Sequence, residues 1–587
     1  MSTSLALREV PQAAAPAVVD PASELVRRVR AQLSVASGGL AIDDYLGAWW
    51  EWALSLLAHP AAQWTVAQQG LERAADTWQF ALSAAAGTPL AHGHQDAHFQ
   101  AEGWNHWPYN ALVRGYGNLE QWSEQLLQST GGISTGSNQR LEFMRRQLLE
   151  MLSPAHSLAT NPELQAQTRA ESGANLLRGW QYWLEDTQRM LAGGAVPGTE
   201  AFRVGEQLAI TPGKVVMRNE LVELIQYAPQ GDSVYAEPIL ITPAWIMKYY
   251  VLDLSPRNSL VKFLVEQGHT VFMISWRNPT AQDRELGMED YLRLGVRAAL
   301  DAIAAIVPAQ RVHAVGYCIG GTLLSIAAAV LAAEGNQRLA SVTLLAAQAD
   351  FSAPGELSLF ITPSQLAALD ALMQRDGVLA SERMGAAFAL LRSSDLIWDP
   401  AVNTYVRGER TKLNDLMAWN ADGTRMPCRM HSEYLNRLYL RNELATGNFT
   451  ISGQGVDLRR ITLPMYVVGT ETDHVAPWPS ALRTRALTRS DDFTFLLTSG
   501  GHNAGIVSGA VHPKRRHRVY QWTDATSILS ASEYQQAAQL HSGSWWPNWQ
   551  SWLAAHSSGA RQLPPLMGNS AAGFPPLCDA PGGYVRG

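Results

Sequence analysis

The stretch Val312-His-Ala-Val-Gly316-Tyr-Cys318-Ile-Gly320-Gly321 decides the fold of the second half of this chain. Its first residues form a short apolar run typical of a buried strand, and the Ala- and Leu-rich run at 322–333 predicts a helix. Glycines two residues before and after Cys318 leave room for a sharp strand-to-helix turn, a nucleophile elbow. The alternative is an inert, buried cysteine beside a tight turn. The strand, glycines and helix together favour a nucleophilic Cys318, whose thiolate the helix N-terminus would stabilise.

An elbow nucleophile needs an acid and a base, which follow it in the order nucleophile, Asp or Glu, His. Two predicted strands further along run into Asp473-His474 and into a glycine-flanked His502. Because parallel strands end at one edge of a sheet, both loops are predicted to face Cys318. His502 is the better base, since its glycines allow a close approach, and His474 is predicted to line the pocket. Taken singly, a turn residue explains Asp473 and a surface histidine explains His502.

The composition excludes several classes of protein. The chain has 587 residues, 47% of them hydrophobic, and a net charge of −7. Its longest apolar stretch, at 322–333, is shorter than the ~20 residues that span a bilayer, so no transmembrane segment is predicted. The negative charge argues against a nucleic-acid partner. Three scattered cysteines and the absence of a secretory signal pattern favour a reducing cytoplasm and exclude a disulfide framework.

The pattern of apolar residues divides the chain in two. Residues 1–20 form an Ala- and Pro-rich arm that we expect to be disordered, and over 21–200 the apolar residues recur at helical spacing. Over 201–587, short apolar runs alternate with helical stretches, which predicts parallel strands in βα units. These runs begin at Ile239, Thr270, Val312, Val342, Pro464 and Phe493. The sequence therefore predicts a mostly helical N-terminal domain followed by an α/β domain.

Longer motifs resemble those of the polyhydroxyalkanoate (poly-3-hydroxybutyrate) synthases, in particular the single-polypeptide type. Besides the elbow, the matching stretches include Pro238-Ile-Leu-Ile-Thr-Pro-Ala-Trp245, Ile274-Ser-Trp-Arg-Asn-Pro279, Trp419-Asn-Ala-Asp-Gly-Thr-Arg-Met-Pro427 and Gly543-Ser-Trp-Trp-Pro-Asn-Trp549. The resemblance covers roughly residues 85–587. The sequence departs from the family pattern at Asn503, where an apolar residue is commoner, and in Arg429-Met-His-Ser, which is often aromatic in the family.

The resemblance implies an α/β-hydrolase fold. The segment at about 351–455, between the elbow and the acid loop, would be an inserted cap, or lid, that gates the substrate and joins two copies into a homodimer. The family's catalytic Cys, Asp and His match Cys318, Asp473 and His502 in this sequence. We expect the backbone N–H groups of Ile319 and Ile246 to hold the oxyanion formed when the nucleophile attacks.

The resemblance also implies the reaction and its place in the cell. The enzyme would be an acyltransferase that polymerises 3-hydroxyacyl-CoA with release of CoA, through an acyl thioester on Cys318. We expect it in the cytoplasm, on the growing polyester and its granule, without a cofactor. The N-terminal half would attach to the granule, and its tryptophans offer an apolar surface, although a packed core explains them nearly as well: Trp49, Trp50, Trp52, Trp104, Trp107 and Trp122.

Other candidates are weaker, and two other functions stay open. His474 is a candidate for the substrate pocket and Arg392 for a CoA phosphate. The run His92-Gly-His-Gln-Asp-Ala-His98 differs by one residue from a metallohydrolase pattern, and we predict no metal there. One alternative function is a cysteine-dependent α/β-hydrolase or thioesterase that releases a hydroxy acid. The other is a non-catalytic granule-binding protein with a relic elbow.

Overall fold

The computed structural model describes residues 41–129, 131–524 and 526–587. The predicted disordered arm at 1–20 and the start of the predicted helical region lie outside these residues. The main element is an eleven-stranded sheet. Its strands are β1 Gly213–Arg218, β2 Val222–Tyr227, β3 Ile239–Thr242, β4 Val271–Trp276, β5 Val312–Tyr317, β6 Leu339–Leu345, β7 Met465–Thr470, β8 Phe493–Thr498, β9 Arg516–Trp522, β10 Gln539–Ser542 and β11 Cys578–Asp579.

The strand order brings the predicted functional loops to one edge. Across the sheet the order is β10-β9-β8-β7-β6-β5-β3-β4-β2-β1-β11. The six central strands, β3 to β8, run parallel, and the outer strands pair antiparallel. Every residue of these six strands is buried, because both faces of the sheet are covered, and this explains why their sequences are predominantly apolar. The carboxyl ends of β3, β5, β7 and β8 therefore lie at the same edge.

The N-terminal part of the described chain is helical. Its helices are α1 Ile42–Ala58, α2 Pro60–Ala85, α3 Tyr109–Gln128, α4 Thr135–Leu152, α5 Pro162–Ala170 and α6 Ala174–Leu191. A small core forms between them, where Phe99, Trp104 and Val113 are almost fully buried. The division of the chain into domains at about residue 200 stays a prediction.

The remaining helices cover the sheet or lie between β6 and β7. The α-helices of seven or more residues are α7 Leu260–Glu266, α8 Ala298–Ile306, α9 Ile319–Ala333, α10 Pro363–Asp376, α11 Ser381–Leu391, α12 Ala531–Ala537 and α13 Trp546–Ala555. Helix α9 is buried on almost its whole circumference, since its alanines and glycines allow close packing against the sheet. Within the described ranges, no helix has both the length and the apolar sequence needed to cross a bilayer.

The segment between β6 and β7 contacts the N-terminal helices. Phe143 of α4 shares a small apolar cluster with Leu359 and Leu391 of this segment. At Gly179 of α6, an added Cβ would lie 2.0 Å from the backbone oxygen of Tyr405, so only glycine allows this approach. The segment also contains the π-helix Tyr434–Leu440. Its assignment as a cap with limits at 351 and 455 stays a prediction.

Five of the six tryptophans that the sequence assigns to either an apolar surface or a packed core separate into two groups. Trp104 is fully buried, and Trp122 packs on α2, where its Nε1 donates to the Val66 oxygen at 3.1 Å. Trp49, Trp50 and Trp107 have exposed fractions of 46%, 60% and 57%. Helical spacing alone could not distinguish the buried tryptophans from the exposed ones, because the segments that carry them have similar compositions.

Candidate active site

Cys318 occupies the turn between β5 and α9. Its φ of +54° lies in a region that non-glycine residues rarely adopt. The Cys318 N–H donates to the Leu345 oxygen at 2.9 Å, and its carbonyl accepts from the Gly321 N–H at 2.8 Å. The neighbouring strand and the first turn of the helix thus hold the backbone in this strained conformation. The half-buried thiol stands at the carboxyl edge of the sheet.

The elbow glycines are required by close backbone contacts. A Cβ at Gly316 would lie 2.4 Å from the Gly321 Cα. A Cβ at Gly320 would lie 2.3 Å from the Thr242 oxygen and 2.4 Å from the Pro243 oxygen. Contacts this short to backbone atoms leave no room for a side chain. The elbow therefore packs directly against the loop that follows β3.

Asp473 follows β7 and is held as a buried carboxylate. It accepts hydrogen bonds from the N–H groups of Val475 and Ala476, at 2.9 and 2.8 Å, and from the Thr470 hydroxyl at 2.9 Å. Burial alone would raise the pKa of Asp473, but the nearby His502 and these N–H donors outweigh it and lower the pKa below its usual value. Asp473 is therefore ionised at neutral pH.

His502 follows β8 and lies against this carboxylate. Its Nδ1 is 2.8 Å from Asp473 Oδ2, and because an ionised carboxylate can only accept, Nδ1 carries the proton. Burial lowers the pKa of His502, but the Asp473 carboxylate and a hydrogen bond and charge from Cys318 raise it well above its usual value. The structure thus brings Cys318, Asp473 and His502 together, as the strand order predicts.

Tryptophans of the chain's last part hold the loop that carries His502. Trp545 Nε1 donates to the Gly505 oxygen and Trp546 Nε1 to the Ile506 oxygen, each at 3.0 Å. On the same loop, Arg515 donates to the oxygens of Ser499 and Ala504. The loop is rich in glycine, and these donors restrict the freedom that glycine confers. Trp545 and Trp546 therefore support the loop at 499–515 that carries His502, which is called the histidine loop below.

The predicted oxyanion donors lie on the two backbones that meet at the elbow. Ile319 is the first residue of α9, a position whose N–H has no intrahelical acceptor. Ile246 lies in the loop after β3, where its carbonyl accepts from the Thr424 N–H at 3.3 Å. Thr424 also donates its hydroxyl to the Trp245 oxygen, so the segment between β6 and β7 fixes this loop. Their role as oxyanion donors stays a prediction.

The two weaker candidates, His474 and Arg392, each face a carboxylate outside the Asp473–His502 pair. The His474 side chain is 40% exposed, and its Nδ1 lies 3.8 Å from the Glu356 carboxylate. Arg392, just after α11, forms an ion pair with Asp395 three residues further on. Both pairs are partly exposed to solvent, so both side chains can reach a ligand. Their substrate-binding roles stay predictions.

The histidine run of the N-terminal part has other partners. His94 Nε2 lies 2.6 Å from a Glu120 carboxylate oxygen. His98 lies between two carboxylates, with Nδ1 2.7 Å from Asp96 and Nε2 3.0 Å from Asp399. Among the described residues, no group of three or more His, Cys, Asp or Glu side chains is arranged to hold a metal ion.

Sequence reasoning missed several aromatic side chains beside the thiol. Tyr434 and Tyr439 lie on the π-helix and Phe351 on the loop after β6, and their rings pack together at 4.8 to 6.4 Å. Burial raises the pKa of Tyr439, and the negative charges of Cys318 and Asp473 raise it further, which places this phenol near the candidate site. Phe351 lies 33 positions after Cys318, and Tyr434 and Tyr439 lie 39 and 34 positions before Asp473, so no local pattern could associate them with the site.

Two family models match the chain. The model described as "Poly-beta-hydroxybutyrate polymerase (PhaC) N-terminus" matches residues 95–264. The model described as "alpha/beta hydrolase fold" matches residues 237–508. Among solved structures, a monoacylglycerol lipase from Paleococcus ferrophilus is 14% identical, covers 48% of this chain and 90% of that chain, and gives a TM-score of 0.31. A TM-score this low carries no argument about the fold, which rests on the strand order described above.

Curated relatives match over most of the chain. A poly(3-hydroxyalkanoate) polymerase of Methylorubrum extorquens is 40% identical over 497 residues, 84% of this chain and 80% of the relative. A poly(3-hydroxyalkanoate) polymerase subunit PhaC of Rhizobium meliloti is 37% identical, with 87% of this chain and 83% of the relative covered. The corresponding subunit of Cupriavidus necator is 37% identical, with 77% and 76% covered.

The parallel sheet, the strand-to-helix elbow and the family match define a protein of the α/β-hydrolase fold preceded by a helical region, as predicted. The chain belongs to the poly(3-hydroxyalkanoate) polymerase family. It is accordingly an enzyme, an acyltransferase-type synthase of polyhydroxyalkanoate biosynthesis. The resemblance that its motifs indicate is confirmed.

Proposed function

We propose that this chain polymerises 3-hydroxyacyl-CoA and releases CoA, with the acyl group carried as a thioester on Cys318. One observation carries the proposal: the His502 imidazole lies 2.8 Å from the Asp473 carboxylate and also interacts with the Cys318 thiol. A base between a nucleophile and an orienting carboxylate is the arrangement that activates Ser and Cys nucleophiles. The relatives are named poly(3-hydroxyalkanoate) polymerases, which supports a polymer as the product.

In the first step the Cys318 sulfur attacks the thioester carbonyl of the substrate. His502 takes the proton of the Cys318 thiol, the new C–S bond forms and the carbonyl oxygen becomes an oxyanion. The C–S bond to CoA then breaks, and the His502 imidazolium gives the proton to the leaving CoA thiolate. The N–H groups of Ile319 and Ile246 would stabilise the oxyanion, and one such donor contributes ~10²–10³ in rate. One thioester replaces another, so the step is nearly isoenergetic and the acyl group remains activated for transfer.

In the second step the 3-hydroxyl of another unit attacks the Cys318 thioester. An ester bond forms, Cys318 leaves as a thiolate, and the hydroxyl proton passes to His502 or Asp473. Tyr434, Tyr439 and Phe351 supply an apolar wall beside the thiol that would exclude water, the competing acceptor. Exclusion of water favours transfer to a hydroxyl over hydrolysis.

The products of the reaction test this proposal against its alternatives. With purified enzyme and 3-hydroxybutyryl-CoA, we expect stoichiometric free CoA together with insoluble polyester, measured by thiol titration and by mass spectrometry of the digested polymer. Soluble hydroxy acid in place of polymer would indicate a thioesterase. No CoA release from any 3-hydroxyacyl-CoA of four or eight carbons would indicate a non-catalytic granule-binding protein.

Asp473→Asn separates two roles of this carboxylate. If Asp473 only orients the imidazole, acylation and elongation should slow in parallel. We expect instead that acylation survives better than elongation, because a thiol with a usual pKa of ~8.5 needs less help to ionise than an alcohol. Intact mass after a single turnover should then show an acylated enzyme that does not elongate. An unacylated enzyme would exclude the elongation role.

We further propose that the enzyme works at the granule surface in the cytoplasm, as a homodimer joined through the cap, with no cofactor or metal. The exposed rings of Trp49, Trp50 and Trp107 support granule attachment, because a polyester surface would remove them from water. Leu396, Met417 and Leu440 offer exposed apolar area on the proposed cap. Arg392 and His474 remain candidates for binding the substrate.

A further inference from the structure

The Tyr317 side chain connects the elbow to the histidine loop. Its hydroxyl donates a hydrogen bond to Asn503 Oδ1 at 2.5 Å, and its ring centroid lies 5.7 Å from that of His502. Tyr317 immediately precedes Cys318, and Asn503 immediately follows His502. Two consecutive residues of the turn therefore meet two consecutive residues of the loop, thiol to imidazole and phenol to amide.

The histidine loop needs such a contact because its backbone is intrinsically free. Gly500 has a φ of +105°, and Gly501 and Gly505 flank His502 and Asn503. The tryptophans after β10 hold the carbonyl groups of Gly505 and Ile506. The Tyr317 hydroxyl holds the loop at the point next to the imidazole, directly from the turn that carries the thiol.

The chemistry of the pair suits its surroundings. Burial raises the pKa of the Tyr317 phenol well above its usual value, and the charges of Cys318 and Asp473 raise it further, so the phenol keeps its proton at every working pH. The Asn503 amide oxygen is a neutral acceptor. The contact therefore neither titrates nor adds a second negative charge beside the Asp473 carboxylate.

We propose that Tyr317 and Asn503 are positioning residues, which together hold the His502 imidazole within proton-transfer distance of the Cys318 thiol. Proton transfer requires heavy atoms about 2.6–3.2 Å apart, and a 1 Å displacement costs ~10² in rate. The inference rests on the proposed function, in which Cys318 is the nucleophile and His502 the base.

A double-mutant cycle tests the proposal. We expect Tyr317→Phe and Asn503→Leu each to reduce kcat/KM for CoA release from 3-hydroxybutyryl-CoA by about tenfold. The double variant should lose little more than either single variant, since all three break the same hydrogen bond. The Asn503 backbone oxygen would keep its bonds from Ile506 and Val507, at 3.0 and 2.9 Å, in the leucine variant. A product of the two losses, about 100-fold, would show independent roles and overturn the proposal.

The chain offers a matched control for the loss of a buried phenol hydrogen bond. The Tyr466 hydroxyl donates to Asn548 Oδ1 at 2.6 Å, in a partly buried contact between β7 and α13, as the Tyr317 contact is. Tyr466→Phe should lower the Tm as the site variants do, with kcat/KM unchanged. A loss of Tm without any loss of kcat/KM in Tyr317→Phe and Asn503→Leu would show a merely structural role and overturn the proposal.

The pH dependence of Cys318 alkylation reports on the position of the imidazole and does not depend on the stability of the protein. A displaced imidazolium stabilises less thiolate, so the pH of half-maximal alkylation by iodoacetamide should rise by about one unit in both site variants and stay unchanged in Tyr466→Phe. An unchanged profile would overturn the proposal. Cys318→Ala and His502→Gln, assayed in parallel, keep the two failures distinct: if they stay active, the proposed function fails, and if they are inactive, only the positioning role is at issue.

Discussion

Cys318→Ala is expected to reduce CoA release from 3-hydroxybutyryl-CoA below detection while the protein stays folded. The substitution removes the sulfur that would form the acyl thioester, and the proposed mechanism has no other covalent carrier. Folding should survive because Cys318 lies half-buried at a turn, where alanine occupies the same backbone conformation with fewer atoms. Thiol titration of released CoA and intact mass after incubation with substrate measure the two losses, and the thermal unfolding curve monitors folding.

A second cysteine provides the control for this experiment. Cys428 is also a half-buried free thiol, and it lines a polar cavity of about 510 Å³ with Arg284, Asp370 and Arg429. Cys428→Ala should keep wild-type turnover and acyl loading. Turnover near wild type in Cys318→Ala would contradict the whole mechanism, since the nucleophile would then lie elsewhere.

His502→Gln is expected to slow CoA release by ~10²–10⁴-fold, whereas His474→Gln should have a mild effect. His502 is the imidazole beside both the Asp473 carboxylate and the Cys318 thiol, and glutamine cannot accept the proton. His474 is 40% exposed and faces Glu356 at 3.8 Å, so its loss changes only the surroundings of the site. Initial rates of CoA release at saturating substrate compare the two variants.

The pH dependence of thiol reactivity separates a base from a pocket residue. The pKa of His502 is raised, so its imidazolium persists across neutral pH and favours the thiolate form of its partner. In His502→Gln the alkylation of Cys318 by iodoacetamide should therefore move to higher pH, while His474→Gln should keep the wild-type profile. Equal and complete inactivation by both substitutions, with equal shifts, would show that the base is wrongly assigned.

The fold could be predicted from sequence patterns that extend over only a few neighbouring residues. Parallel strands covered on both faces are mostly apolar, so β3, β5, β7 and β8 appear in the sequence as predominantly apolar runs followed by loops. The same rule places Cys318, Asp473 and His502 at one edge, because parallel strands end together. Glycines at fixed distances from Cys318 predict the turn, and the structure shows the backbone contacts that exclude a Cβ there.

The exposed fraction of a side chain and its hydrogen-bond partner could not be predicted from such local patterns. Trp50 and Trp104 both occur in the helical region, but one is 60% exposed and the other fully buried. Asn503 is a conspicuous residue in the sequence, while its partner Tyr317 lies 186 positions away. Tyr439 reaches the candidate site from the segment after β6. These contacts and exposures depend on which surfaces of the folded chain meet. The residue pattern within a single helix or strand holds no information about that.

The sequence by itself determined the order of the elements, the strained turn at Cys318 and the chain order of nucleophile, acid and base, because each follows from backbone geometry over a few residues. Only the tertiary structure decided how Asp473 stays charged while buried, through hydrogen bonds from Val475, Ala476 and Thr470 and the His502 imidazole. It also decided that Tyr317 contacts the histidine loop. The physical reason is that burial and long-range hydrogen bonds arise from the packing of distant segments, and packing is a property of the whole chain.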